Sequence, residues 1–169
     1  TCKVLADGSM VVADPLMTHV RGVADLKPAT ADNKALGLVT STVKATDSQL
    51  QDLLAAWYIN ISVRSNGVVI VKNGGTLSVG TGEQDRVGAV EQAIEKFKAK
   101  YEGHETIQDA VMASDGFFPF PDGVEVAAKA GITAIIAPSG SLKDAEVILR
   151  ANELGVALYH APERVFSHH

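Results

Sequence analysis

The stretch from Met112 to Gly123 reads Met-Ala-Ser-Asp-Gly-Phe-Phe-Pro-Phe-Pro-Asp-Gly and holds three of the chain's five phenylalanines and two of its six prolines. Proline fixes φ and removes a backbone donor, so this segment cannot run on as a regular strand or helix. Rings held in so stiff a turn either plug a core or form the wall of a site for a flat ligand. Asp115 and Asp122 flank the rings and would set carboxylates on the same rim.

Four further segments carry polar chemistry. Gly80-Thr81-Gly82-Glu83-Gln84-Asp85-Arg86 stands between a strand-like run and a helical pattern, where backbone N–H groups can face an anion. A third fingerprint glycine would fall at Asp85 and no Lys-Ser/Thr pair follows, so neither named phosphate cradle is met and a tight turn is the plain alternative. Pro138-Ser139-Gly140-Ser141 occupies an equivalent position, with Ser141 suited to a helix N-cap or to a ligand contact. Arg64-Ser65-Asn66 follows a long helical pattern, where Asn66 either ends the helix in a left-handed conformation or offers its amide to a ligand. The ending Arg164-Val165-Phe166-Ser167-His168-His169 joins a permanent cation, an aromatic ring and two imidazoles, and is either a fraying tail or a cover over a site.

These segments need elements to hold them. Thr46-Asp47-Ser48-Gln49 has capping-box form, and Leu50, Leu53, Leu54, Trp57 and Ile61 follow at helical spacing. Val68 to Val71 and Thr76 to Val79, joined by Asn73-Gly74-Gly75, predict a hairpin. Val87, Val90, Ile94 and Phe97 predict a second helix, 110–113 a buried strand and 124–130 a short helix. A core strand over 132–137, a helix over 142–154 and a last strand over 156–159 complete the alternation. Near the start, 3–5 and 10–13 around Asp7-Gly8-Ser9 predict a small hairpin, whereas 15–43 lacks a sustained period and reads as an irregular connection. Strands alternating with helices predict one layered α/β domain over 1–169 with at least one hairpin in its sheet.

With 169 residues and 46% hydrophobic content the chain can bury a full core. A net charge of -5 and the lack of a basic stripe argue against general binding to nucleic acid or an anionic membrane. No apolar run reaches the roughly 20 residues that span a bilayer, and no signal-peptide pattern opens the chain, so a cytoplasmic location is expected. The single Cys2 leaves no internal disulfide and no Cys-x-x-Cys pair, and His19, His104 and His160 assemble no metal site. The first residue is Thr1 rather than Met, which makes trimming or a longer precursor the expectation.

Taken in chain order, Arg64-Ser65-Asn66, Gly80 to Arg86, Ala113-Ser114-Asp115-Gly116-Phe117-Phe118-Pro119-Phe120, Ala130 to Ala134, Pro138 to Ser141 and Arg164 to His169 resemble motifs of the AICAR transformylase family. The resemblance runs from about residue 3 to the end and implies the second of two cytidine-deaminase-like units, each a layered α/β/α fold with a mixed sheet. Known members are folate-dependent homodimers with sites between subunits, often fused to IMP cyclohydrolase. They move a formyl group from 10-formyltetrahydrofolate to the 5-amino group of AICAR.

By that resemblance Asn66 would contact the carboxamide, Arg164 the phosphate, and Arg86, Phe117 and Pro119 would line the substrate and folate region. Asp122 and Ser141 would hold the pterin or shape its pocket, Phe166 and His169 would close the site, and Asn66 and His169 would share the catalytic work. The family's potassium ion would have Ser65 and Asp115 as its nearest matches. The family's proton-transferring Lys-His pair has no counterpart, because no lysine of this chain is followed by histidine. The chain therefore resembles half an active site, needing a first unit elsewhere, or a non-catalytic ligand-binding or assembly module that kept the fold. Cytidine deamination is not expected, since the zinc signature with His-x-Glu and Pro-Cys-x-x-Cys is absent.

Overall fold

The computed structural model describes residues 2–12, 14 and 17–166. The chain opens with a hairpin, β1 (Cys2–Val4) and β2 (Met10–Val12), at the Asp-Gly-Ser turn. A 3-10 turn (Val23–Asp25) leads to β3 (Lys27–Pro28), and β4 (Thr30–Asn33) and β5 (Gly37–Thr40) form a second hairpin. Then come α1 (Asp47–Asn60), β6 (Val68–Lys72), β7 (Gly75–Gly80), α2 (Arg86–Tyr101) and β8 (Val111–Ser114). The chain finishes with α3 (Asp122–Ala130), β9 (Ala134–Pro138), α4 (Asp144–Glu153) and β10 (Ala157–Ala161).

The segment expected to be irregular is therefore partly ordered. β3 pairs antiparallel with β10 through Tyr159↔Pro28 and His160↔Lys27, which places proline on an edge strand, where its missing donor does least harm. The β4–β5 hairpin has no clean alternation to announce it. It is held from outside: the Asn152 side chain on α4 donates to the Thr40 carbonyl at 3.1 Å and accepts from the Thr42 N–H at 2.9 Å.

The main sheet is six-stranded, in the order β3-β10-β9-β8-β6-β7. β8, β9 and β10 run parallel, whereas β6 and β7 pair antiparallel with their neighbours. The period of two in each strand splits the core in half. Val68, Ile70, Met112, Ile135 and Leu158 face α2, α3 and α4, while Val69, Val71, Val111, Ala113, Ile136 and Tyr159 face α1 with its buried Leu53, Ala56 and Trp57. The expected layered α/β/α arrangement with a mixed sheet is the one observed.

Local chemistry sets the ends of these elements. The Gln49 N–H donates to Thr46 Oγ1 at 3.2 Å and the Thr46 N–H returns a bond to Gln49 Oε1 at 3.0 Å, closing the predicted capping box. Asn73 (φ 51) and Gly74 (φ 74) take the positive φ values of a tight hairpin turn. Their N–H groups donate to the Asp52 carboxylate at 2.8 and 2.7 Å, so α1 grips the turn between β6 and β7. Gly131, at φ 106, ends α3 in the left-handed conformation and delays β9 to Ala134.

His160 on β10 is half-buried, and burial pushes its imidazole below the ordinary 6.5, against opposing pulls from the Asp144 carboxylate and the Thr30 backbone. The unfolded chain then takes up that proton more readily than the folded one as pH falls. Stability from this residue is full above about pH 6.5 and declines as pH falls through the lowered folded value. Urea unfolding midpoints measured down an acid series should decline less steeply in His160→Gln than in the parent chain.

Candidate functional site

The sheet brings the motif segments to one edge. Val68, at the start of β6, lies opposite Gly80 at the end of β7 and Ser114 at the end of β8. β9 and β10 end beside each other at Pro138 and Ala161. Residues 64–67, 81–86, 115–121, 139–143 and 162–166 therefore all emerge along the same rim, outside the carboxyl ends of the parallel strands.

At the centre Arg86, the first residue of α2, is 7% exposed and Asp115 is 0% exposed. Their side chains form a buried ion pair through Arg86 Nη1 and Asp115 Oδ1. The second carboxylate oxygen accepts from the Gly67 N–H at 3.0 Å, and the Asp115 N–H donates to the Gly67 carbonyl at 3.1 Å. Arg86 Nη1 also reaches the Gly67 carbonyl at 3.3 Å, and Nη2 donates to Asn66 Oδ1 at 2.7 Å. The Asn66 amide nitrogen donates to the Glu83 carbonyl at 2.9 Å. Two charges removed from water are tolerable only with such a set of extra bonds.

Above this pair lies a cleft of about 250 Å³ lined by Asn66, Gln84, Asp85, Arg86, Phe117, Pro119 and Phe166. The aromatic loop divides between core and cleft. Phe118 is 3% exposed and joins the core beside Val90 and Val124, whereas Phe117 and Pro119 wall the cleft and Phe120 is exposed. The Arg164 guanidinium lies 4.6 Å from the Phe117 ring centroid, a cation–π contact that also holds it beside Gly140. A Cβ at Gly116 would strike the Phe166 ring and the Arg86 guanidinium, so a side chain there would displace them.

Five of the residues expected in the site, Asn66, Arg86, Phe117, Pro119 and Phe166, share the cleft wall, and Arg164 stands against it. Asp122 does not: it is exposed in the first turn of α3, and its carboxylate accepts from the neighbouring Gly123 N–H at 2.8 Å. Ser141 is not the cap of α4, which begins at Asp144 after Lys143; its hydroxyl accepts from the Lys143 N–H at 3.0 Å. The Asp144 carboxylate instead takes the Gly140 and Ser141 N–H groups at 2.7 and 3.2 Å. Asn66 does not terminate α1 either, since that helix stops at Asn60 and Asn66 lacks a positive φ. His169 lies outside the described residues.

The expected potassium ligands fit poorly. Asp115 already balances Arg86, and a guanidinium in contact with a carboxylate opposes a second cation there. Ser65 is buried as well. Gln84 and Asp85 join the cleft wall as residues that motif reading passes over, although both stand in the Gly80 to Arg86 segment. Asp85 also caps α2, its carboxylate accepting from the Gly88 N–H at 2.7 Å.

The AICARFT/IMPCHase bienzyme family model matches residues 17–96. The bifunctional purine biosynthesis protein PurH of Anoxybacillus flavithermus is 42% identical over 158 residues, which is 92% of this chain and 30% of that protein. The chain is similar to this family over most of its length. PurH of Nostoc punctiforme is 44% identical over 138 residues, 82% of this chain and 26% of its own length. The chain thus spans about a third or less of the curated relatives it matches. Among solved structures, dCMP deaminase from the cyanophage S-TIM5, in complex with dCMP and dUMP, covers 68% of this chain and 98% of its own at 18% identity, with a TM-score of 0.45. No helix among the described residues is long and apolar enough to cross a membrane.

The geometry of the cleft sets the cost of two truncations. Asp115→Ala leaves Arg86 buried without its counter-charge and should lower unfolding free energy by about 3–5 kcal/mol in urea titrations. Phe118→Ala should cost roughly 3–5 kcal/mol on the same scale as a core truncation, and Phe117→Ala, at the half-exposed wall, clearly less.

Proposed function

We propose that this chain supplies part of an AICAR formyltransferase site, in which a formyl group passes from 10-formyltetrahydrofolate to the 5-amino group of AICAR. The observation that carries this reading is the convergence of Asn66, Arg86, Phe117, Pro119 and Phe166 on one cleft, with Arg164 at its edge. Flat apolar walls suit a heterocycle, and an exposed arginine suits a phosphate through paired N–H donors. Asn66 is oriented by Arg86 and Glu83, which leaves it placed rather than freely rotating at the wall.

Formyl transfer to a weakly nucleophilic amine needs a proton removed, an oxyanion stabilised and the folate nitrogen reprotonated. In this reading the chain's residues bind and orient, and a Lys-His pair on another unit moves the proton. The size of the cleft supports a divided site: about 250 Å³ is below the roughly 300–1,000 Å³ usual for a small-molecule pocket. A homodimer or an assembly with a polypeptide bearing the first unit would complete it. The lack of any lysine followed by histidine favours a second reading, a non-catalytic module that retains the ligand rim.

Purified chain mixed with AICAR and 10-formyltetrahydrofolate should turn over only when a polypeptide carrying the Lys-His unit is added. Binding of AICAR without turnover in either mixture would select the non-catalytic module, and absence of both binding and turnover would overturn both readings. Arg164→Ala should weaken AICAR binding by about 1.5 kcal/mol in calorimetric titration, as for a lost hydrogen bond to a charged group.

A further inference from the structure

Arg164 and Phe166 sit on a stretch that has already left the sheet, because β10 ends at Ala161. Such a tail would ordinarily fray. Two inward contacts alternate with the two cleft residues. Val165 is fully buried, and its N–H donates to the Asp115 carbonyl at 3.1 Å. Glu163 turns the other way, toward the segment that precedes the 3-10 turn.

There the Glu163 carboxylate is tied to Thr18 and His19. Thr18 Oγ1 donates to Glu163 Oε1, the His19 N–H donates to the same oxygen at 2.9 Å, and His19 Nδ1 lies 3.2 Å from Oε2. Thr18 is itself 5% exposed, and its hydroxyl oxygen accepts from Trp57 Nε1 at 2.9 Å and from the Val20 N–H at 3.1 Å. Trp57, on α1, is fully buried against the sheet. A continuous line of hydrogen bonds therefore runs from the core indole to the residue preceding Arg164. Hydrogen bonds to an ionised acceptor are about twice as strong as neutral ones, so this line can fix a backbone that no strand pairing holds.

We propose that Glu163 is a positioning residue: through Thr18 and Trp57 it sets the direction in which Arg164 is presented to an anionic group of the ligand. This rests on the reading of Arg164 as the contact for the AICAR phosphate. Glu163 does not itself line the cleft, and its effect is transmitted by the backbone to its neighbour.

The test compares the affinities of the full chain for AICAR and for its dephosphorylated riboside, so that the ratio isolates the phosphate. Arg164→Ala should lower the ratio about tenfold, the equivalent of a lost charge-assisted bond. Glu163→Ala should lower it several-fold, Thr18→Val should do the same, and the double variant should add little to either, as expected for one coupled unit. Glu163→Gln keeps an acceptor for the His19 N–H and should restore part of the ratio, and it guards against a variant that fails to fold. Emission of the chain's single tryptophan, Trp57, should shift in Thr18→Val and Glu163→Ala, reporting the broken line. If Arg164→Ala lowers the ratio while Glu163→Ala and Glu163→Gln leave it at the parent value, the positioning role is overturned and the phosphate assignment stands. If Arg164→Ala leaves the ratio unchanged, both fall.

Discussion

The buried contact between Arg86 and Asp115 is the constraint on which the rim of this molecule depends. Moving two ions out of water costs several kcal/mol each, and their attraction offsets this only with good geometry and further hydrogen bonds. Those bonds are what tie the loops together: Gly67 and Asn66 from the entry to β6, Glu83 from the exit of β7, and Val165 from the tail. The pair is better understood as a device for holding separate segments in register than as a source of net stability. Its cost makes every segment that completes it obligatory.

The topology explains why these segments can meet. Three parallel strands send their carboxyl ends to one edge, and the β6–β7 hairpin adds an entry and an exit at the same edge. α2 begins at this edge with Arg86 as its first residue, so the side chain is delivered at the rim while the helix body packs across the sheet. The aromatic loop follows from the same economy of position. One ring, Phe118, anchors it in the core, and that anchor leaves Phe117 and Pro119 facing the cleft with little freedom to move.

Elements with strong end signals are legible in the sequence itself. The capping box at Thr46 and the positive-φ turn at Asn73-Gly74 are local, and a local rule suffices to place them. Boundaries shift by a few residues where a neighbouring element decides them. β9 starts late because Gly131 closes α3 first, and α4 starts late because Asp144, not Ser141, collects the loop's N–H groups. The order within 15–43 is illegible along the chain because β3 exists only through β10, and the β4–β5 hairpin is held from α4.

The sequence by itself determined the layered α/β alternation, the family likeness and the residue types able to bind a flat, anionic ligand. These depend on hydrophobic period, turn chemistry and motif order, all readable along the chain. Only the tertiary structure decided that Asp115 is spent on Arg86, that Phe118 is core while Phe117 is wall, and that Asp122 stands apart from the cleft. Burial and partner choice arise between residues distant in sequence, and neighbouring letters in one loop can take opposite roles because each meets a different part of the fold.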